Sequence, residues 1–218
     1  IKEGRADMVA LGRSLLADPE YPNKARKGKI DQIRPCVGCC LGCIHAVLAK
    51  EPGSCVVNPD VGREYKLEDQ EEQTDSKKIL VAGAGPSGLS AARMFACQGH
   101  RVLVCEQSAS AGGLLALAAR APGRGELEDI LSFLLAELDR LGVEICYEKP
   151  LSKALLDEFQ PDQVILATGS LPDMPVIKGL FKTEMALFTS VEVFEEKGGS
   201  PGKAIVLGGG MTGLVTAD

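Results

Sequence analysis

Five of the chain's eight cysteines, Cys36, Cys39, Cys40, Cys43 and Cys55, fall within twenty residues. Cys36, Cys39, Cys43 and Cys55 are separated by two, three and eleven residues, and Cys40 offers a competing ligand. A secreted disulfide framework would spread its cysteines rather than crowd them, so the cluster reads as metal binding. Four thiolates can hold a tetrahedral zinc or an iron-sulfur cluster, and spacing alone leaves both open beside free reduced thiols. Cys97, Cys105 and Cys146 sit singly on apolar stretches, as small buried thiols do. His45 and His100 are unpaired and receive no role.

The second source of chemistry is glycine. Gly83-Ala84-Gly85-Pro86-Ser87-Gly88 follows the apolar stretch Lys78–Ala82 and precedes a helix pattern. Glycines at this spacing permit a tight turn, close backbone approach to a pyrophosphate and close helix-strand packing, with the phosphate at the positive helix end. Glu106 lies 18 residues beyond Gly88, at the end of the next strand pattern, where a carboxylate accepts from a ribose hydroxyl. A carboxylate repels a 2′-phosphate, so FAD, NAD or ADP fits this site better than NADP; the alternative is glycines serving only turns. Gly208-Gly209-Gly210-Met211-Thr212-Gly213 repeats the signature after Ala204–Leu207. Its ribose reader would lie beyond Asp218, which leaves its cofactor unread and a turn without a nucleotide as the alternative.

These groups must be positioned by regular elements. Lys78–Ala82, Arg101–Cys105, Val143–Tyr147 and Gln163–Ala167 read as strands, and Pro86–Gln98 as a helix opened by proline. Leu127, Ile130, Leu131, Leu134, Leu135, Leu138 and Leu141 mark one face of a further helix, a core face and not a partner groove. Strands alternating with helices imply an α/β fold with a mostly parallel sheet. Ala204–Leu207 begins another such unit. Before the sheet, Ala6–Leu11 reads as a short buried strand followed by Gly12-Arg13, and Asp18–Lys29 as a surface helix broken by Pro19 and Pro22. Residues 62–77 are acidic and poor in apolar side chains, which suits a solvated linker.

Composition excludes other classes. With 218 residues the chain is long enough for one or two domains. A net charge of −6, no tryptophan and 4% aromatic residues argue against a nucleic-acid partner, which needs basic patches or stacking platforms. No apolar run approaches the roughly 20 residues that span a bilayer, so a soluble, cytoplasmic protein without a membrane partner is expected. No residue is a convincing proton donor to substrate, and no catalytic residue is assigned.

With these motifs in view, the chain resembles the iron-sulfur flavoprotein branch of the old yellow enzyme family: 2,4-dienoyl-CoA reductase, trimethylamine dehydrogenase and related NADH:flavin oxidoreductases. Ala6–Arg13 with Leu16-Ala17-Asp18-Pro19 looks like the last strand of their (β/α)8 barrel and the helix after it. The resemblance implies that Gly12 and Arg13 contact the FMN phosphate. Cys36-Val37-Gly38-Cys39, Cys43 and Ser54-Cys55-Val56-Val57-Asn58-Pro59 are similar to the family's 4Fe-4S motif, which makes Cys40 the extra residue. Gly83, Gly85, Pro86, Ser87, Gly88 and Glu106 would hold FAD. Gly112, Gly113, Leu114, Arg124, Leu151 and Ala167-Thr168-Gly169 stand at further FAD-contacting positions, Leu114 where reductases often carry a polar Gln. Gly208, Gly210 and Gly213 would hold NAD(P)H.

The implied organisation is a barrel end over 1–34, a 4Fe-4S loop over 35–61, an acidic linker over 62–77, a Rossmann-like FAD-binding domain over 78–202 and the start of an NAD(P)-binding domain over 203–218. The first seven barrel units, with most FMN contacts and the small-molecule substrate, are expected outside this chain; a homo-oligomer is allowed. The implied activity passes electrons from NAD(P)H through FAD and 4Fe-4S to FMN and an activated alkene. A trimethylamine-dehydrogenase-like protein with static ADP is the rival within the family. A zinc- and nucleotide-binding module without enzymatic activity is the rival outside it.

Overall fold

A computed structural model describes residues 3–65, 75–182, 185–197 and 202–218. Its centre is a four-stranded sheet of β1 (Lys78–Ala82), β2 (Arg101–Cys105), β3 (Glu144–Cys146) and β4 (Gln163–Leu166). The spatial order is β3-β2-β1-β4 and every pairing is parallel. Parallel strands covered on both faces need apolar residues at successive positions, which is how Lys78–Ala82 and Arg101–Cys105 read.

Pleating divides those residues between two cores. Ile79, Val81, Val102 and Val104 face a cluster with Leu89 and Ala92 of α4 (Pro86–Cys97) and Leu131, Leu134 and Leu138 of α6 (Leu127–Arg140). Leu80, Ala82, Leu103 and Cys105 face the other way, onto Leu155 of α7 (Lys153–Phe159). The three- and four-residue periodicity of α6 is therefore a core face, as its sequence suggests. Its first turn carries Glu128 and Asp129 and its last Arg140, complementing the helix dipole.

Between β2 and α6 lies α5 (Gly113–Ala119), and α8 (Ser190–Phe194) opens with a capping box in which Thr189 and Glu192 bond reciprocally. N-terminal to the sheet, the chain forms α1 (Arg13–Ala17), α2 (Tyr21–Arg26) and α3 (Ile44–Ala49). The last helix, α9, is Met211–Ala217.

Three expectations are corrected. No strand forms over Ala6–Leu11, where Met8 is 86% exposed. None forms over Ala204–Leu207, where Ile205 is 80% exposed. An apolar run becomes a strand only when neighbours pair its backbone, and neither segment has a paired neighbour among the described residues. The helix expected over Asp18–Lys29 is confined to α2, because Asp18 precedes a proline and is extended at φ −145° and ψ 99°. Most of the acidic linker, residues 66–74, lies outside the described residues. Among the described residues no helix is long and apolar enough to cross a membrane.

Candidate functional site

The glycines of the first turn divide the work between them. Gly83 adopts φ +107°, and a Cβ there would fall 2.3 Å from the Ala167 carbonyl oxygen. A Cβ on Gly88 would fall 1.9 Å from the Gly83 carbonyl oxygen. Both therefore serve the close passage of α4 across the strand ends. Gly85 differs, because a Cβ there would meet nothing within 4 Å. Its face is open at the N-terminus of a 12-residue helix begun by Pro86, the place where a pyrophosphate can approach.

Other expected positions gather around this turn. The Gly112 N–H donates to the Ala84 carbonyl at 2.8 Å, and a Cβ on Gly113 would stand 3.5 Å from Gly85 Cα. The Ala167 N–H donates to the Ala82 carbonyl at 2.8 Å, which brings Ala167-Thr168-Gly169 to the turn. Leu151 packs into the core on the α7 side of the sheet, and Leu114 is half-exposed.

Glu106 is the charged member of the group and is only 8% exposed. One carboxylate oxygen accepts from the Ala84 N–H at 2.7 Å and the other from the Ser108 N–H at 2.8 Å. Burial pushes its carboxyl up, but the Ala84 and Ser108 hydrogen bonds outweigh it and hold the group below the usual carboxylate range. A carboxylate oxygen can accept more than one bond, so capacity for a ribose hydroxyl remains. The acid thus also ties the glycine turn to the end of β2, a role that spacing alone did not announce.

The second turn repeats the first. Gly208 adopts φ +116°, and a Cβ on Gly213 would fall 1.9 Å from the Gly208 carbonyl oxygen. Gly209 and Gly210 face open space. Arg124, expected at the flavin, donates to Met211 Sδ at 3.0 Å, on the first residue of α9.

The cysteine loop forms a separate small cavity. Cys36, Cys39, Cys40, Cys43 and Cys55 all line it, together with Arg13. None of the five is paired in a disulfide. Gly42 makes the closure possible: the Ser54 N–H donates to its carbonyl at 2.7 Å, and a Cβ on Gly42 would fall 2.5 Å from Ser54 Oγ. The chain on either side then carries Cys43 and Cys55 to the same cavity. Thiolates on one zinc at about 2.3 Å lie within about 4 Å of each other. Among the described residues no three His, Cys, Asp or Glu side chains converge in that way on one metal ion. A 4Fe-4S cluster makes a different demand, one thiolate on each of four separate iron atoms around a common space, and Cys36, Cys39, Cys43 and Cys55 all border this one cavity.

The stem of this loop is held by buried polar residues on either side of it. Asp18, 4% exposed, accepts from the Arg34 N–H at 2.8 Å and from Lys24 Nζ at 2.6 Å. Asn58, 3% exposed, donates to the Leu16 carbonyl at 2.9 Å and accepts from the Arg34 guanidinium. Arg34 and Asn58 thus join the two ends of the cysteine loop. The Arg34 guanidinium also stands 5.7 Å from the centre of the Phe133 ring on α6, and so does that of Arg93. Arg93 in turn donates to Glu137 at 2.9 Å, and Arg140 donates to the same carboxylate at 2.8 Å. Asp18 and Asn58 stand in the stretches that carry the resemblance, whereas Arg34, Arg93 and Glu137 carry no motif, and only their contacts in the fold reveal them.

The Pyridine nucleotide-disulphide oxidoreductase family model matches residues 77–218. The chain is 40% identical over 220 residues to NADH oxidase of Thermoanaerobacter brockii, covering all of this chain and 34% of that protein. It is 37% identical over 219 residues to cinnamate reductase of Clostridium sporogenes, covering all of this chain and 32% of that protein. A solved 2-naphthoyl-CoA reductase complex superposes with a TM-score of 0.89 at 32% identity, over 99% of this chain and 33% of that one. The chain spans about a third of the length of the curated relatives it matches.

Proposed function

Because the chain belongs to the pyridine nucleotide-disulphide oxidoreductase family, among the old yellow enzyme-type flavoproteins, we propose that it is the electron-transfer part of an NAD(P)H-dependent flavin oxidoreductase. The observation that carries this reading is the presence in one chain of a dinucleotide turn with its buried acid and a cavity lined by Cys36, Cys39, Cys43 and Cys55.

The first turn holds the ADP half of FAD. Gly85 gives the pyrophosphate access, the N-terminus of α4 offsets its charge, and Glu106 accepts from the ribose. The second turn, Gly208 to Gly213, holds NAD(P)H in the same manner. Cys36, Cys39, Cys43 and Cys55 hold a 4Fe-4S cluster, while Gly12 and Arg13 are this chain's residues offered to an FMN phosphate. When bound, these groups supply acceptance of a hydride, conversion of electron pairs to single electrons and delivery to an activated alkene. The chain's own residues bind and orient these groups.

The test is the visible absorbance of the anaerobically purified protein, with iron, zinc, flavin and ADP quantified. Iron, sulfide and FAD together support the proposal. A cluster with tightly bound ADP and no FAD favours a trimethylamine-dehydrogenase-like protein instead. Zinc with neither chromophore overturns the redox reading.

A further inference from the structure

We infer that Arg13 and Cys40 form a hydrogen-bonded pair that keeps Cys40 out of the ligand set and places a fixed positive charge on the wall of the cysteine cavity, where it raises the reduction potential of a cluster bound there. The inference rests on the reading of Cys36, Cys39, Cys43 and Cys55 as cluster ligands, and it goes beyond the phosphate contact expected of Arg13.

The geometry at Cys40 is specific. Arg13 Nη1 stands 3.0 Å from Cys40 Sγ and 3.4 Å from the Gly38 carbonyl. Cys40 Sγ is itself 3.3 Å from that carbonyl, so the thiol both donates and accepts within the group. Cys40 is also held at φ 57°, a left-handed conformation that a residue with a side chain keeps only when its surroundings impose it. The bond to Arg13 is one such imposition. It commits the fifth sulfur, alone among the five that line the cavity, to the guanidinium of Arg13.

The charge has a chemical consequence for that cavity. A cluster held by four thiolates is anionic, and its reduced form carries one more negative charge than its oxidised form. A guanidinium remains protonated at any working pH, so its attraction favours the reduced form. Net charge, hydrogen bonds to sulfur and solvent exposure set cluster potentials, and Arg13 acts through the first. Arg13 is a positioning residue here, because it touches Cys40 and not a ligand sulfur.

The experiment uses the anaerobically prepared, cluster-loaded protein and compares Arg13→Gln, Arg13→Lys, Cys40→Ser and Cys43→Ser with the unaltered chain. Iron and sulfide contents are measured first, and the midpoint potential is then read by spectroscopic redox titration. Arg13→Gln should keep its iron and lose about a factor of ten in the reduction equilibrium, a 59 mV fall for a one-electron couple. Arg13→Lys should recover most of that shift, and Cys40→Ser should keep its iron. An unshifted midpoint in an iron-replete Arg13→Gln overturns the tuning role. Iron loss in Cys40→Ser equal to that in Cys43→Ser makes Cys40 a ligand and overturns the pairing. An unaltered chain that takes up no iron overturns the cluster reading itself, which separates that failure from the other two.

Discussion

Glu106 carries two functions in one carboxylate. Its bonds to the Ala84 and Ser108 N–H groups fix the glycine turn, and in the proposed function its remaining lone pairs accept from the ribose. Charge-assisted hydrogen bonds contribute roughly 1.5–3 kcal/mol, so Glu106→Ala should weaken FAD binding by about one to two orders of magnitude. Flavin titration of the apoprotein measures this, and an unchanged affinity would remove Glu106 from the site. Glu137 presents the same electrostatics without a ligand. Burial raises its carboxyl, but Arg140 and Arg93 outweigh it and leave the folded value below the usual carboxylate range. A depressed folded pKa stabilises above the unfolded value of about 4.3 and is lost as pH falls through the folded value. Thermal melting between pH 6 and pH 3, taken as about three units of acidification, should therefore fall more steeply in the unaltered chain than in Glu137→Gln, which has no such carboxylate to protonate. Parallel pH profiles would assign the acid sensitivity to other groups.

Among the elements, the informative one is the stem of the cysteine loop. Arg34 joins its two ends through Asp18, Ala17 and Asn58, then stacks over Phe133 of α6. Arg34→Met keeps much of the side-chain volume and removes the guanidinium, at a cost of about 2 kcal/mol from the lost charged hydrogen bonds and cation–π contact. Hydrogen exchange should then accelerate over residues 36–58 while the β1 and β2 amides keep their protection. Uniform acceleration of both would mean that Arg34 supports the whole fold and not the loop. Gly42→Ala should act on the same loop, because its Cβ would collide with the Ser54 backbone, and iron incorporation is the readout. The sheet was legible in the sequence because β1 and β2 are buried on both faces and leave unbroken apolar runs between glycines. Ala6–Leu11 and Ala204–Leu207 carry the same kind of run, yet pairing depends on neighbours that a local pattern cannot reveal. The cysteines and glycines of the site were legible by type and spacing. Arg34 and Gly42 were not, and Asp18 and Asn58 were visible only as parts of motifs and not as buried partners, because their significance lies in contacts spanning up to 42 residues of chain, the separation between Asn58 and Leu16.

At the scale of the whole molecule the chain uses one turn twice, and the two copies can be separated experimentally. In each, the last glycine faces the carbonyl oxygen of the first, and an added Cβ would lie 1.9 Å from it, at Gly88 and at Gly213. The collision is with backbone, so neither site accepts alanine without shifting the helix that follows. The turns differ in their surroundings. The first lies at the end of β1, against Glu106, Gly112 and Ala167, inside the sheet's own core. The second lies among exposed residues beside Arg124. Gly88→Ala should therefore release the flavin and lower stability, since the displaced helix α4 also carries Leu89 and Ala92 of the core. Gly213→Ala should keep the flavin and slow its anaerobic reduction by NADH or NADPH by at least about tenfold, the equivalent of about 1.4 kcal/mol of nucleotide binding or positioning. Flavin content and stopped-flow reduction of each holoprotein are the two measurements. A Gly213→Ala protein whose flavin is reduced at the unaltered rate would show that the second turn does not receive the nicotinamide nucleotide. A Gly88→Ala protein that retains its flavin would move the flavin away from the first.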